Sequence, residues 1–175
     1  MRVRANPHLP DPLKELSRTD RMIARAAGSG AASWALGGLF ETLVAGVETE
    51  GQLGVSLVTQ PAGTAPPMHV HTREAEAWYL LSGTLTYQAG DERVDLEAGG
   101  FIYLPRGVPH AFRTTSDVRY LALTLPGGVM DLYDEVGTPA PERRLPDGGI
   151  TGEEIARWMA AAPRYGLQVV GPPIG

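Results

Sequence analysis

Apolar and polar residues alternate along the chain in short runs, and a glycine, a proline or a polar turn closes almost every run. Residues 53–60 (LGVSLVTQ) read as a strand, because a period of two puts one set of side chains on each face. Residues 75–81 (AEAWYLL), 84–88 (TLTYQ), 93–96, 101–104, 110–113 and 118–125 (VRYLALTL) read the same way. Gly83 separates two of these runs, and Ala89-Gly90-Asp91 has the makeup of a hairpin tip. Residues 34–46 (WALGGLFETLVAG) are too short for period to separate helix from strand; strand is favoured over residues 40–45. Near the end, Thr151-Gly152-Glu153-Glu154 forms a capping box that predicts a helix over residues 152–162, stopped by Pro163. Residues 168–170 read as a last short strand, and residues 130–133 as a short helix capping one end of the strands like a lid. Strands that follow one another with no helical run between them predict an all-β antiparallel sandwich or barrel rather than βαβ units.

The 175 residues suit one domain, divided into an N-terminal arm (1–33), a barrel (34–145) and a C-terminal helix and tail (146–175). With 43% hydrophobic and 20% charged residues, the chain is neither disordered nor a coiled coil. A net charge of -5 argues against nucleic acid or an anionic membrane as partner. The absence of cysteine excludes disulfides, thiolate-bound metal, iron–sulfur clusters and thiol catalysis. No apolar run approaches the roughly 20 residues of a spanning helix. The opening MRVRANPHLPDP places Pro and His where a secretory leader needs apolar residues, so a cytoplasmic protein is expected.

Three of the four histidines fall into one pattern. His69 and His71 are spaced i, i+2, so in a strand both rings point to one face. Glu76 follows at the start of the next strand, and His110 opens a later one. Three imidazoles and one carboxylate can converge on one divalent transition metal (Fe, Ni, Co, Mn or Zn) and leave positions open for water or substrate. The turn residues support this. In the run G-x5-P-x-G-x2-H from Gly99 to His110, Pro105 presets φ and Gly107 permits a sharp turn before the histidine.

Residues 63–83 read G-x5-H-x-H-x4-E-x6-G, and in this the chain resembles the cupins, whose first motif has that form. Residues 99–110 resemble most of the second motif, with Thr114 where that motif usually has Asn. A weaker resemblance over most of the chain is to single-domain cupins similar to quercetin dioxygenase. It is carried by WALGGL from Trp34, PRGVPHAF from Pro105, PGGVMDLY from Pro126 and the closing Gly-Pro-Pro from Gly171. The resemblance implies a small jelly-roll barrel, commonly a homodimer, with His69, His71, Glu76 and His110 as ligands of one metal. It implies a dioxygenase that deprotonates a flavonol or related enolisable aromatic and adds O2, with Glu76 as base. Small cupins also include redox-neutral isomerases, epimerases, cyclases and lyases, and non-enzymatic binders of small molecules. Those classes stand as alternatives. The N-terminal arm is the candidate for pairing with a partner subunit.

Trp78 and Leu80 share strand parity with Glu76, and Phe112 shares it with His110. These three are candidates for a substrate pocket wall, or equally for ordinary barrel core. Glu74 is a rival ligand one pleat period from Glu76, with solvated surface charge the favoured reading. His8 in the arm and Arg106 in the turn before His110 read as solvated; at the barrel mouth Arg106 would meet an anionic substrate. Tyr87, Tyr103 and Tyr133 read as packing residues, with proton donation as the other role.

Overall fold

The alternating runs fold as two antiparallel sheets in a computed structural model that describes residues 22–175. The strands are β1 (Ala31–Ala35), β2 (Gly38–Val44), β3 (Gly54–Gln60), β4 (His69–His71), β5 (Ala75–Ser82), β6 (Thr84–Ala89), β7 (Glu92–Glu97), β8 (Phe101–Leu104), β9 (His110–Thr114), β10 (Val118–Leu125), β11 (Thr138–Pro139) and β12 (Leu167–Val169). The helices are α1 (Asp131–Val136) and α2 (Gly152–Ala161). One sheet has the order β11-β1-β2-β3-β10-β5-β8 and the other β12-β4-β9-β6-β7, the jelly-roll arrangement expected from the sequence. No helix among the described residues is long and apolar enough to cross a membrane.

The core lies between the sheets, where inward positions of both meet. Val58, Leu85, Val118 and Leu167 are fully buried there. Trp78 stacks on Tyr120 with ring centroids 4.0 Å apart and meets Phe112 edge-on at 4.9 Å. Gly83 turns the chain between β5 and β6 with φ +84, and a Cβ there would lie 2.1 Å from the Asp117 carbonyl oxygen. Only glycine meets both conditions.

The expected boundary of the N-terminal arm is corrected. Residues 31–33 belong to β1, which pairs along β2 through a two-residue turn at Leu36-Gly37. Both turn residues have positive φ, the conformation that suits the twist of a two-residue hairpin. Residues 1–21, including His8 and most of the arm, lie outside the described residues.

The C-terminal segment is built into the sheets rather than appended to them. Thr151 caps α2, its Oγ1 accepting from the Glu154 N–H at 3.1 Å while the Glu154 carboxylate accepts from the Thr151 N–H at 2.9 Å. The α-helix ends at Ala161, and a 3-10 turn over Ala162–Tyr165 accommodates Pro163. The chain then returns as β12, which pairs with β4 in the register Leu167↔His71 and Val169↔His69. The strand that carries two histidines is therefore held by the last strand of the fold.

Candidate metal centre

Strand β4 is only three residues long, and its alternation buries His69 and His71 while leaving Val70 between them half-buried. On its other side β4 meets β9 through the single pair His69↔His110. The three rings therefore gather at one point of the five-stranded sheet. The centroid separations are 4.2 Å for His69–His110, 5.1 Å for His71–His110 and 5.4 Å for His69–His71. One ligand nitrogen of each lies within 4.8 Å of the other two.

Backbone carbonyls settle which nitrogen carries the proton in two of the rings. His69 Nδ1 lies 2.7 Å from the Pro67 oxygen, and His110 Nδ1 lies 2.9 Å from the Val108 oxygen. A carbonyl only accepts, so each Nδ1 is the N–H donor and each Nε2 keeps a free lone pair. His110 Nε2 and His71 Nδ1 are buried with no hydrogen-bond partner. Burial holds the three imidazoles in the neutral form. His71 is pushed down to about 4, chiefly by burial. His110 is pushed down to about 2 by burial and by the neighbouring His69. Three neutral imidazoles gathered this closely, with buried nitrogens that no other described residue partners, fit a divalent cation.

Glu76 reaches the site from the opposite sheet, on β5. Its Oε2 stands 3.8 Å from His110 Nε2, and it falls outside the tight three-histidine group. Burial raises its pKa, against opposing pulls from the Trp78 indole and from His69. The Trp78 Nε1 itself makes no full hydrogen bond. Glu74, expected on the surface, is instead buried on the turn between β4 and β5, with one carboxylate oxygen unpartnered. It lies beside the Gly128 backbone and does not join the histidines.

A cavity of about 260 Å³ opens on the three histidines and Glu76. Trp78, Phe112, Tyr120 and Phe40 form its walls. Tyr133 from α1 and Ile155, Trp158 and Met159 from α2 form its roof. Among the described residues its lining contains no lysine or arginine. Leu80 is not part of it: it is buried in the core and paired with Tyr120 of β10. Tyr87 is buried with its ring parallel to His110 at 5.9 Å. Tyr103 and Arg106 face solvent. Thr114 serves as a staple: its Oγ1 donates to the Pro61 oxygen at 2.7 Å and accepts from the Thr64 N–H at 2.9 Å. That pins the loop that leads into β4. Gln60, Tyr120 and the α2 residues of the lining lie outside the predicted site. The spacing Ile155, Trp158, Met159 is an i, i+3, i+4 stripe and was the available signal.

Fold and site together define a β-barrel of the cupin type with a histidine cluster able to hold a metal, and comparison with known proteins agrees. The Cupin domain model matches residues 56–124. Quercetin 2,3-dioxygenase of Bacillus subtilis (strain 168) is 32% identical over 126 residues, which cover 69% of this chain and 37% of that protein. The chain thus spans little more than a third of that relative's length. An uncharacterized protein of Streptomyces coelicolor is 31% identical over 78 residues, covering 44% of this chain and 73% of that one. Among solved structures, a predicted oxalate decarboxylase from Thermotoga maritima superposes with a TM-score of 0.52 at 20% identity, covering 60% of this chain and 99% of that one. The chain belongs to the cupin family and resembles quercetin dioxygenase over the matched residues.

Proposed function

We propose that this cupin is a metal-dependent oxygenase of the quercetinase-like kind, acting on a small flavonol or related aromatic through an acidic enol or phenol hydroxyl. The observation that carries the reading is one buried carboxylate, Glu76, standing beside three neutral imidazoles at the floor of a largely apolar cavity. His69, His71 and His110 hold one divalent ion, with Glu76 as a loose fourth ligand. Bound there, such an ion supplies Lewis acidity that lowers the pKa of a hydroxyl beside it. Glu76 takes the hydroxyl proton; its raised pKa brings its basicity closer to the working pH. Trp78, Phe112 and Tyr120 offer flat apolar walls that suit an aromatic guest and exclude water. Among the described residues the lining offers no cationic side chain as counter-charge to an anionic substrate.

The test is metal analysis of the purified protein combined with oxygen uptake on a panel of flavonols. Substrate-dependent uptake, with carbon monoxide released, supports the reading. Deuterium exchange into enolisable compounds without uptake overturns the oxygenase and assigns a redox-neutral enolate enzyme. Glu76→Gln should keep metal while losing most turnover, and full activity in that variant would remove Glu76 as the base.

A further inference from the structure

The roof of the cavity carries a polar pair that lies outside both cupin motifs. Tyr133 sits on α1 and Trp158 on α2, and both line the cavity. The Tyr133 ring stacks flat on Phe40, with centroids 4.1 Å apart and planes 10° apart, which fixes the direction of its hydroxyl. Two tyrosines line the cavity, and they differ. Tyr120 donates its O–H to Gln60 Oε1 at 3.3 Å, while the Tyr133 hydroxyl has the Trp158 indole N–H as its polar neighbour. Trp158 is 4% exposed, and its Nε1 is buried with no full hydrogen-bond partner. An N–H left so is costly unless it has a purpose. It lies on the Tyr133 side, where it favours negative charge on the phenol oxygen.

We propose that the Tyr133 hydroxyl, backed by the Trp158 indole N–H, is a second polar anchor that donates to an acceptor oxygen of the ligand remote from the histidines. The ligand class is then an uncharged aromatic with two oxygen functions, an acidic hydroxyl at the floor and a carbonyl or ether oxygen at the roof. Burial and the negative charge of Glu76 push the Tyr133 pKa up, so its hydroxyl keeps its proton and stays a donor. The inference rests on reading this cavity as the ligand site and not on the metal or oxygen chemistry.

The test uses the full chain, ¹⁵N-labelled, titrated with acetophenone and with α-methylstyrene. The second probe has the same shape with a methylene in place of the carbonyl oxygen. Acetophenone should bind about fivefold tighter, the increment of one net hydrogen bond, and should shift the Trp158 indole resonance. Tyr133→Phe should abolish the preference and leave α-methylstyrene within about twofold of its wild-type affinity. Trp158→Phe should reduce the preference, and it carries the test should Tyr133→Phe fail to fold. Equal affinity of the two probes, a preference that survives in Tyr133→Phe, or binding of neither probe overturns the proposal. A standing acetophenone preference without flavonol turnover sinks the oxygenase and keeps the anchor; turnover without the preference does the reverse.

Discussion

In metal-free form, kept so by a chelator, the protein should lose about 4 kcal/mol of histidine-linked folding stability between pH 7 and pH 5. The unfolded chain carries ordinary imidazoles with a pKa of about 6.5, nearly all protonated at pH 5. Each gains about 2 kcal/mol from that proton. The folded state forgoes the gain at His71, held down to about 4, and at His110, held down to about 2. The unfolded state therefore binds more protons, and stability must rise with pH. Loss sets in as pH falls below about 6.5 and runs on to about 4 for His71 and about 2 for His110. His69 is lowered too and adds in the same sense. Glu76 acts in the opposite sense: its raised carboxyl takes up a proton in the folded state first and offsets part of the loss. Against a total stability of about 5–15 kcal/mol for such a domain, the effect is large. Urea unfolding at half-unit pH steps measures it. His110→Phe should remove about half the pH slope, because a buried phenyl ring has nothing to titrate. A change of less than about 1 kcal/mol between pH 7 and pH 5, or a full slope in His110→Phe, would refute burial as the force that keeps these rings neutral.

Three further outcomes follow from the same structure. Gly83→Ala should cost about 2–5 kcal/mol in chemical denaturation, since it combines a positive φ with a Cβ driven to 2.1 Å from the Asp117 oxygen. Thr151→Ala removes the cap of α2 and should cost about 1 kcal/mol, read as a lowered melting midpoint. His69→Ala or His71→Ala should strongly lower metal stoichiometry by elemental analysis, and unchanged stoichiometry would sink the ligand assignment.

The strands that were legible are those in which local pattern and tertiary role agree. Val118–Leu125 alternates without interruption and is paired on both sides, so its bounds match the expected run. The two-residue strand Thr138–Pro139 carries no pattern and exists only because β1 offers it an edge. The residues of β1 sit beside the ambiguous apolar run, where period does not decide. The histidine cluster was legible because i, i+2 spacing already implies one face of a strand. Glu76 was legible as a neighbour, but its 3.8 Å separation from His110 was not. It comes from the other sheet, and the gap between sheets is set by core packing that no local motif records. Glu74 reads as surface charge because Glu is rarely buried; the turn into β5 instead buries it, with its carboxylate near Gly128.

The least legible part is the roof, and it bears most directly on what the protein can accept. Both helices that form it lie beyond the motif residues, and α2 is placed by the return of β12 onto β4, a pairing three residues long. That pairing couples the two halves of the site. The last strand braces the strand that carries His69 and His71 and also seats the helix whose Ile155, Trp158 and Met159 close the cavity over them. The motif region sets where a cation can sit, and the segment after β10 sets the shape and polarity of what can reach it. Two cupins with identical histidine geometry can therefore take different substrates. Similarity over residues 56–124 alone identifies the family without identifying the reaction, because the helices of the roof lie outside that span.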